Sequence, residues 1–142
     1  MLQCKPMQNE KDAKDFDGWN TRKKNINQKA KPKNTKRGEV WWCEIGVNID
    51  REQDGGKTFE RPILVLHRIN YFLVLIAPLT SQVKNPESHF YHKLKTAKVK
   101  STVLISQIRV ISTKRLRRQI EKINNDEFKE IIEKISRFYN FK

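Results

Sequence analysis

The sequence predicts a small, mainly β domain that ends in a single α-helix and follows a basic N-terminal arm or helix. The chain has 142 residues, which suits one domain rather than two. From Gly38 onward it contains at least five short runs rich in β-branched and aromatic residues, and its C-terminus shows a helical apolar pattern. Short strands followed by one amphipathic helix are typical of a small barrel in which the helix covers one opening.

The charge of the chain favours a polyanionic partner. It contains 30 Lys and Arg residues against 16 Asp and Glu, a formal net charge of +14, and such an excess is typical of proteins that bind nucleic acids. Residues 1–37 carry 11 of the basic and 4 of the acidic side chains, so half of the net charge lies in about a quarter of the chain. No apolar stretch is long enough to span a bilayer and no apolar signal region is visible, so we expect a cytoplasmic protein without a membrane partner.

The N-terminal extension, residues 1–36, has two interpretations. It is either a disordered basic arm or a helix over about residues 9–28 that docks through Phe16 and Trp19, which lie three positions apart and share a face. Residues 37–142 are then expected to form the folded domain.

A polar, glycine-containing stretch, Gly46 to Glu60, separates the first two predicted strands. It is long for a connector, and such loops are usually functional or mobile. The apolar run of residues 71–79 has no polar interruption, which predicts a strand buried on both faces, as in a closed barrel. In chain order, the predicted strands cover residues 40–45, 63–67, 71–79, 89–94 and 102–110, with a last short strand at 119–123 after a helical turn over 114–118.

The C-terminal helix has both a start signal and a continuous apolar face. Asn124 and Glu127 have the spacing of a capping box, in which two side chains satisfy backbone N–H groups at the start of a helix. The apolar positions recur at intervals of three and four residues, as one helical face requires. They are Phe128, Ile131, Ile132, Ile135, Phe138 and Tyr139.

Two polar residues stand at neighbouring strand ends. If residues 63–67 and 71–79 pair as a hairpin, Arg61 and Thr80 meet at its open end. A cation and a hydroxyl that converge at the mouth of a small barrel can bind and polarise one phosphate. From the spacing alone, an ordinary surface ion pair at Arg61 and an ordinary turn at Thr80 are the favoured interpretation.

Metal-ligating and nucleophilic residue types are scattered along the chain. His89 and His92 are three apart in a predicted strand and therefore point to opposite faces. No cysteine or carboxylate cluster accompanies them, so neither a metal site nor a resident cofactor is predicted. Cys43 lies in an apolar strand and is interpreted as a small buried side chain rather than a nucleophile.

Five short motifs follow one another in order along the predicted domain. The first is the strand segment RGEVWWCEIG, and the second is the pair Glu52 and Gln53 in the long loop. RPILVL begins at Arg61, PLTSQ begins at Pro78, and LISQIR begins at Leu104 and is followed by a basic turn. Together these motifs resemble those of the MazF/PemK toxins, the endoribonuclease half of bacterial type II toxin–antitoxin pairs.

The resemblance implies an SH3-like barrel that assembles as a homodimer. It also implies cleavage of single-stranded RNA, including mRNA, without a metal ion or cofactor. A cognate antitoxin protein is the expected partner that neutralises this activity.

The resemblance also assigns roles to individual positions. Arg61 and Thr80 match the catalytic arginine and threonine of the family, and Glu52 matches a loop acid that some members need. Ser106 stands where several members have Asp or Glu, so no carboxylate role is transferred to it. The positions expected to bind RNA are Ser81, Gln82, Lys84, Gln107 and Arg109.

The implied reaction is attack of a ribose 2′-OH on its own 3′-phosphate, with departure of the 5′-oxygen and formation of a cyclic phosphate. Arg61 can bind two phosphoryl oxygens at once, and the Thr80 hydroxyl can orient the phosphate. Either Glu52 or His67 is available for proton transfer. Two alternatives stay open, namely a noncatalytic basic SH3-like module that binds nucleic acid and a gyrase poison of the same fold.

Overall fold

The structure is a computed structural model that describes residues 13–83, 85 and 88–140. This part of the chain contains seven strands and two α-helices. In chain order they are α1 (Phe16–Lys29), β1 (Glu39–Glu44), β2 (Glu60–Arg68), β3 (Leu73–Thr80), β4 (Tyr91–Lys93), β5 (Thr102–Leu104), β6 (Arg109–Ser112), β7 (Leu116–Lys122) and α2 (Asn125–Tyr139). Single 3-10 turns at Ile105–Gln107 and Thr113–Arg115 join β5 to β6 and β6 to β7.

All strand pairings are antiparallel and place the strands in the order β4-β5-β3-β2-β1-β7, with β6 also beside β3. The sheet curves into a barrel-like fold but does not close. The predicted mainly β fold with a C-terminal helix is therefore confirmed, whereas the expected closure of the barrel is wrong.

The strand predicted over residues 102–110 is the main error in the predicted sheet. The 3-10 turn at Ile105–Gln107 divides it into β5 and β6. Both halves pair with β3, but at different ends, because β5 lies beside Leu79 and Thr80 whereas β6 lies beside residues 73–76. The break lies beside residues 77 and 78 of β3, between the two paired segments.

The curved sheet buries apolar side chains on both faces, as the continuous apolar runs predict. In β2, Leu64 and Leu66 pack into the cluster that includes residues of α2, and Ile63 and Val65 pack into a second cluster. Cys43 belongs to the second cluster, and its complete burial raises the pKa of its thiol to about 12. The interpretation of Cys43 as a packing residue is confirmed, because a thiol with this pKa stays protonated and unreactive.

The predicted burial of residues 71–79 is wrong at the beginning of that run. The Asn70 side chain accepts hydrogen bonds from the backbone N–H groups of Phe72 and Leu73, at 2.8 and 2.9 Å. These bonds hold a turn, so β3 begins only at Leu73. Tyr71, Phe72 and Leu73 are consequently exposed.

The N-terminal extension contains a helix, so the alternative of a disordered arm is wrong for the part that is described. The carboxylate of Asp15 caps α1, and the expected cap, Asn9, lies outside the described residues. Trp19 and Ile26 are buried on one helical face, with 5% and 6% of their surfaces exposed. Phe16 was expected to share this contact, but it is 50% exposed because α1 packs through the face of positions 19 and 26.

The carboxylate of Glu127, in the first turn of α2, is buried and bonded to the β4–β5 segment. Its Oε1 accepts hydrogen bonds from the Thr96 N–H and hydroxyl at 3.0 and 2.6 Å. Its Oε2 accepts from the Lys95 N–H at 2.8 Å and lies 3.0 Å from His92 Nε2. Because the Lys134 ammonium, 2.8 Å from His92 Nδ1, can only donate, we assign the ring proton to Nε2.

Candidate active site

The β2–β3 hairpin brings Arg61 and Thr80 to the same end of the sheet. Ile63 pairs with Pro78, so the same register continued by two residues places Arg61 opposite Thr80. The guanidinium Nη1 of Arg61 donates to the carbonyl of Leu79 at 3.3 Å. The juxtaposition predicted from the two strand ends is therefore present.

Thr80 is held in place at the last position of β3. Its side chain is buried, with 8% of the residue exposed. Its Oγ1 accepts the backbone N–H of Gln82 at 3.2 Å. This bond occupies an acceptor site and leaves the hydroxyl proton available for a ligand.

The long loop between β1 and β2, residues 45–59, folds over this end of the sheet. Its Asp54 carbonyl accepts a hydrogen bond from Arg61 Nε. The Asp54 carboxylate in turn accepts the Asn48 N–H at 2.6 Å. The loop is thus an ordered structure that is bonded to the candidate catalytic arginine.

Gln107 fixes the loop from the opposite side. Its side-chain oxygen accepts the Gln53 N–H at 2.6 Å, and its side-chain amide donates to the Arg51 carbonyl at 3.2 Å. The sequence predicted that Gln107 borders an RNA groove. The structure places it at a groove, where it also anchors the loop.

A groove of about 640 Å³ lies between the loop and the turn that joins β5 to β6. The loop provides Asn48, Arg51, Glu52 and Gln53, and the other side is formed by residues 106–109, with Ile45 and Pro78 also contributing. Arg61 and Thr80 do not line this groove themselves. Arg61 nevertheless donates hydrogen bonds to the carbonyls of Asp54 and Leu79. These two residues directly follow Gln53 and Pro78, which line the groove, so Arg61 and Thr80 lie at one end of it.

The groove region is rich in guanidinium groups. Arg51 and Arg109 line it. Burial lowers the pKa of Arg61, and the nearby Asp54 carboxylate partly offsets this. Burial and the positive charge of Arg109 lower the pKa of Arg115. Arginine remains charged despite such shifts, so the region attracts anions.

Glu52 lies on the loop wall of the groove, as its predicted role requires. It is exposed, and its Oε1 accepts the backbone N–H of Ile49 at 2.9 Å. His67, the other candidate for proton transfer, stands six residues from Arg61 along β2, which corresponds to about 20 Å in a strand. His67 is therefore excluded from this site.

The remaining predicted RNA-binding residues differ in their position relative to the groove. Arg109 lines the groove, while Ser81 and Gln82 are exposed directly after Thr80 but do not line it. Lys84 lies outside the described residues. Ser106 is exposed on the groove wall, without a carboxylate of its own.

The described residues contain neither a candidate metal site nor a candidate membrane span. No group of three or more His, Cys, Asp or Glu side chains is close enough to hold a metal ion. No helix in this part of the chain combines the length and the apolar character that a membrane span needs.

Two N-terminal residues contact the loop, and the sequence predicts docking for only one of them, Trp19. The ammonium group of Lys14 donates to the carbonyls of Asn48 and Asp50 and forms an ion pair with Asp54. Trp19 packs at the base of the loop, against Gly46. Lys14 is one of 11 basic residues in a segment without a recognisable motif, so no pattern could single it out.

Comparison with solved structures shows the same fold in toxins. MazF from Deinococcus radiodurans is 24% identical and superposes with a TM-score of 0.63, covering 75% of this chain and 97% of MazF. An endoribonuclease from a mycobacterial species, solved with its cognate antitoxin, is 12% identical with a TM-score of 0.61, covering 77% and 98% of the two chains. A MazE–MazF complex from D. radiodurans gives 22% identity and a TM-score of 0.58, with 76% and 97% coverage.

Comparison of the sequence with protein-family models gives a match over residues 36–139, to the PemK-like, MazF-like toxins of type II toxin–antitoxin systems. No curated protein matches the sequence significantly. Lys14 and α1 lie before the matched segment, whereas the loop, Arg61, Thr80 and α2 lie inside it. Since this match spans most of the sequence and the fold agrees with it, the chain belongs to the PemK-like, MazF-like toxin family of type II toxin–antitoxin systems.

Proposed function

We propose that the protein is an endoribonuclease toxin that cleaves single-stranded RNA in the cytoplasm without a metal ion or cofactor. The observation that carries this proposal is the placement of the Arg61 guanidinium beside Thr80 at the end of a basic groove. A module that only binds nucleic acid needs positive charge but not a half-buried arginine fixed next to a buried hydroxyl. Residues 37–142 are proposed to carry the reaction.

The proposed reaction uses a nucleophile that the RNA itself supplies. The ribose 2′-OH attacks the adjacent phosphorus, the bond to the 5′-oxygen breaks, and a 2′,3′-cyclic phosphate and a 5′-hydroxyl end are formed. Holding the 2′-oxygen in line with the leaving oxygen accounts for much of the acceleration, because the step is intramolecular. The protein must orient the phosphate, stabilise its developing charge and move two protons.

Arg61 is suited to stabilise the phosphoryl oxygens. Its contacts with the carbonyls of Asp54 and Leu79 use two of the five N–H groups of a guanidinium and fix its plane. The remaining N–H groups can bind two oxygens of one phosphate. The Thr80 hydroxyl can donate a further hydrogen bond, because its contact with the Gln82 N–H uses an oxygen lone pair and not the hydroxyl proton.

Glu52 is proposed to accept the proton of the 2′-OH. It is the carboxylate among the residues that line the groove, and it is exposed to solvent. Arg51 and Arg109 are proposed to attract the phosphates on either side of the cut, with Gln107, Ser81 and Gln82 contributing polar contacts.

An assay with purified full-length protein and a mixed-sequence RNA in EDTA tests this function. Cleavage that leaves 5′-hydroxyl ends supports the proposed reaction. RNA binding without cleavage would instead favour a noncatalytic nucleic-acid-binding module.

A cognate antitoxin is proposed as the second partner, since solved relatives include MazE–MazF complexes. Arg51 and Arg109 line the groove, and Glu52 is the acidic residue among those that line it. An acidic antitoxin segment would compete with RNA for this charge.

An exposed apolar patch at the tip of the β2–β3 hairpin and on β6 is proposed as the homodimer interface. Patches of this kind on soluble proteins commonly mark interaction sites. The patch consists of Ile69, Tyr71, Phe72, Leu73 and Val110, each at least 40% exposed.

We expect Phe72→Asp to convert the dimer into monomer, because it places a charge among apolar side chains, Phe72 itself being 61% exposed. Sedimentation velocity measures the change. Phe16→Asp is the matched control, since Phe16 is a similarly exposed phenylalanine outside the patch, and it should leave the oligomeric state unchanged. A Phe72→Asp protein that sediments like the wild type would contradict this interface.

A second basic groove is formed where α1 meets the turn between β6 and β7. It has a volume of about 370 Å³ and is lined by Lys23, Lys24, Lys114 and Arg115, among others. We propose that the positive charge of this second groove also attracts the RNA backbone.

We expect Lys23→Gln together with Lys24→Gln to weaken RNA binding and to reduce the slope of log K against log salt by about 1.4, or 0.7 per phosphate contact. Filter binding with an uncleavable 2′-O-methyl RNA over a salt series measures both effects. Lys122→Gln with Lys129→Gln, near α2 and away from both basic grooves, is the matched control. Equal slopes for the two double variants would show that α1 has no electrostatic role. Substitution is preferable to deletion of residues 1–36, because deletion would also remove the buried Trp19.

A further inference from the structure

We propose that Lys14 and Trp19, which lie before the family domain, are positioning residues of the ribonuclease site. They hold the β1–β2 loop where it forms one wall of the groove. This role rests on the ribonuclease activity proposed above. Neither residue lines the groove, so both act through the loop.

The groove depends on the position of the loop. One wall consists of loop residues, including the proposed proton acceptor Glu52, and the facing wall consists of residues 106–109. The contacts described above between the loop and the site are three hydrogen bonds, two with the Gln107 side chain and one from Arg61 to the Asp54 carbonyl. Further contacts between the loop and the rest of the protein therefore affect the fraction of molecules in which the loop forms the groove wall.

Lys14 fastens the outer part of the loop at three points. Its Nζ lies 2.6 Å from the Asn48 carbonyl oxygen, 2.8 Å from the Asp50 carbonyl oxygen and 3.1 Å from Asp54 Oδ2. An ammonium group has three protons, and here each has an oxygen of the loop as its acceptor. Charge-assisted bonds of this kind are stronger than neutral ones. The adjacent Asp15 caps α1, and this cap holds the backbone from which the Lys14 side chain extends.

Trp19 fixes the base of the loop. The two ends of the loop are joined by a hydrogen bond from the Gly46 N–H to the Phe59 carbonyl at 3.1 Å. The Trp19 ring lies 5.5 Å from the ring of Phe59. It also lies so close to Gly46 that a Cβ at that position would be 1.9 Å from Trp19 Cε2. The side chain of Trp19 thus occupies the space above the joined ends and fits only a glycine there.

The loop is consequently tied to α1 at its base and at its outer turn. A loop freed from Lys14 samples positions in which the wall is absent, and substrate must then order it on binding. The expected consequence is weaker substrate binding, with less effect on the chemical step, since Arg61 and Thr80 stay on the β2–β3 hairpin.

The test uses full-length Lys14→Met, which keeps the aliphatic part of the side chain and removes the charge. Steady-state cleavage of a single-stranded RNA oligonucleotide is expected to show a KM about 10-fold above wild type and a smaller change in kcat. Hydrogen exchange of the free protein is expected to be faster at the amides of Asn48 and Gln53, with the melting temperature unchanged. Lys29→Met, at the other end of α1, is the matched control and should show neither effect.

Two results would overturn the positioning role. One is wild-type KM together with wild-type exchange at these amides in Lys14→Met, and the other is a fall in kcat while KM and exchange stay unchanged. In both cases the wild type still cleaves RNA, so the proposed function stands. If the wild type does not cleave RNA, the proposed function fails, and the exchange experiment alone still decides whether Lys14 holds the loop.

Discussion

Arg61→Ala is expected to lower kcat/KM for RNA cleavage by at least about 10³-fold, because a guanidinium that contacts a transferring phosphate commonly contributes this much. Arg61→Lys keeps the charge but loses the fork that binds two oxygens, so we expect a loss of about 10²-fold. Cleavage of a fluorogenic single-stranded RNA measures both variants.

The control for these variants is Arg137→Ala, which removes an exposed arginine from the last turn of α2, away from the groove. It should cleave at the wild-type rate. Because Arg61 also bonds to the carbonyls of Asp54 and Leu79, circular dichroism should confirm that Arg61→Lys remains folded. A folded Arg61→Ala protein with wild-type activity would rule out the proposed role of this residue.

Glu127→Gln is expected to lower the free energy of unfolding by about 3 kcal/mol at neutral pH. Burial alone would raise the pKa of Glu127, but hydrogen bonds from Thr96, His92 and the backbone N–H groups of Lys95 and Thr96 outweigh it and lower the pKa from 4.5 to about 2. Each pKa unit corresponds to about 1.4 kcal/mol. The glutamine amide has one acceptor oxygen and cannot accept hydrogen bonds from all these donors. Removing one partner of a buried ion pair lowers the free energy of unfolding by a similar amount.

The same shift predicts a pH dependence. The folded-state pKa of Glu127 lies below the unfolded value, so the carboxylate stabilises the fold above about pH 4.5, and this contribution disappears as the pH falls toward 2. Urea denaturation of wild type and Glu127→Gln should therefore give a large difference at pH 7 that shrinks toward pH 2. Glu133→Gln, an exposed position on α2, should stay within about 0.5 kcal/mol of wild type. A constant difference across this pH range would contradict the assignment.

The features that the sequence predicted well depend on local pattern. α2 has both a capping residue at Asn124 and an apolar face, and the structure contains both. The juxtaposition of Arg61 and Thr80 required only that two adjacent strands pair as a hairpin, which is the simplest connection available.

The features that the sequence did not predict depend on contacts between distant parts of the chain. The 3-10 turn at Ile105–Gln107 lies in a run that favours a strand locally, and its position is set by packing against β3, β4 and α2. The loop is held by Lys14 and Gln107, which are 93 positions apart in the chain. No periodicity or motif encodes such a pairing, because polar residues in a long loop give no signal about their partners.

The ion pair between α1 and β1 limits how far the chain can be shortened from its N-terminal side. Glu44 at the end of β1 is 4% exposed, and its carboxylate lies 2.6 Å from Arg22 Nε on α1. Arg117, at 3.9 Å, is more distant. A chain shortened to the family segment would keep the buried acid and lose its close basic partner, which is costly inside a protein. We therefore expect residues 36–139, the segment that the family shares, to be less stable alone than together with α1.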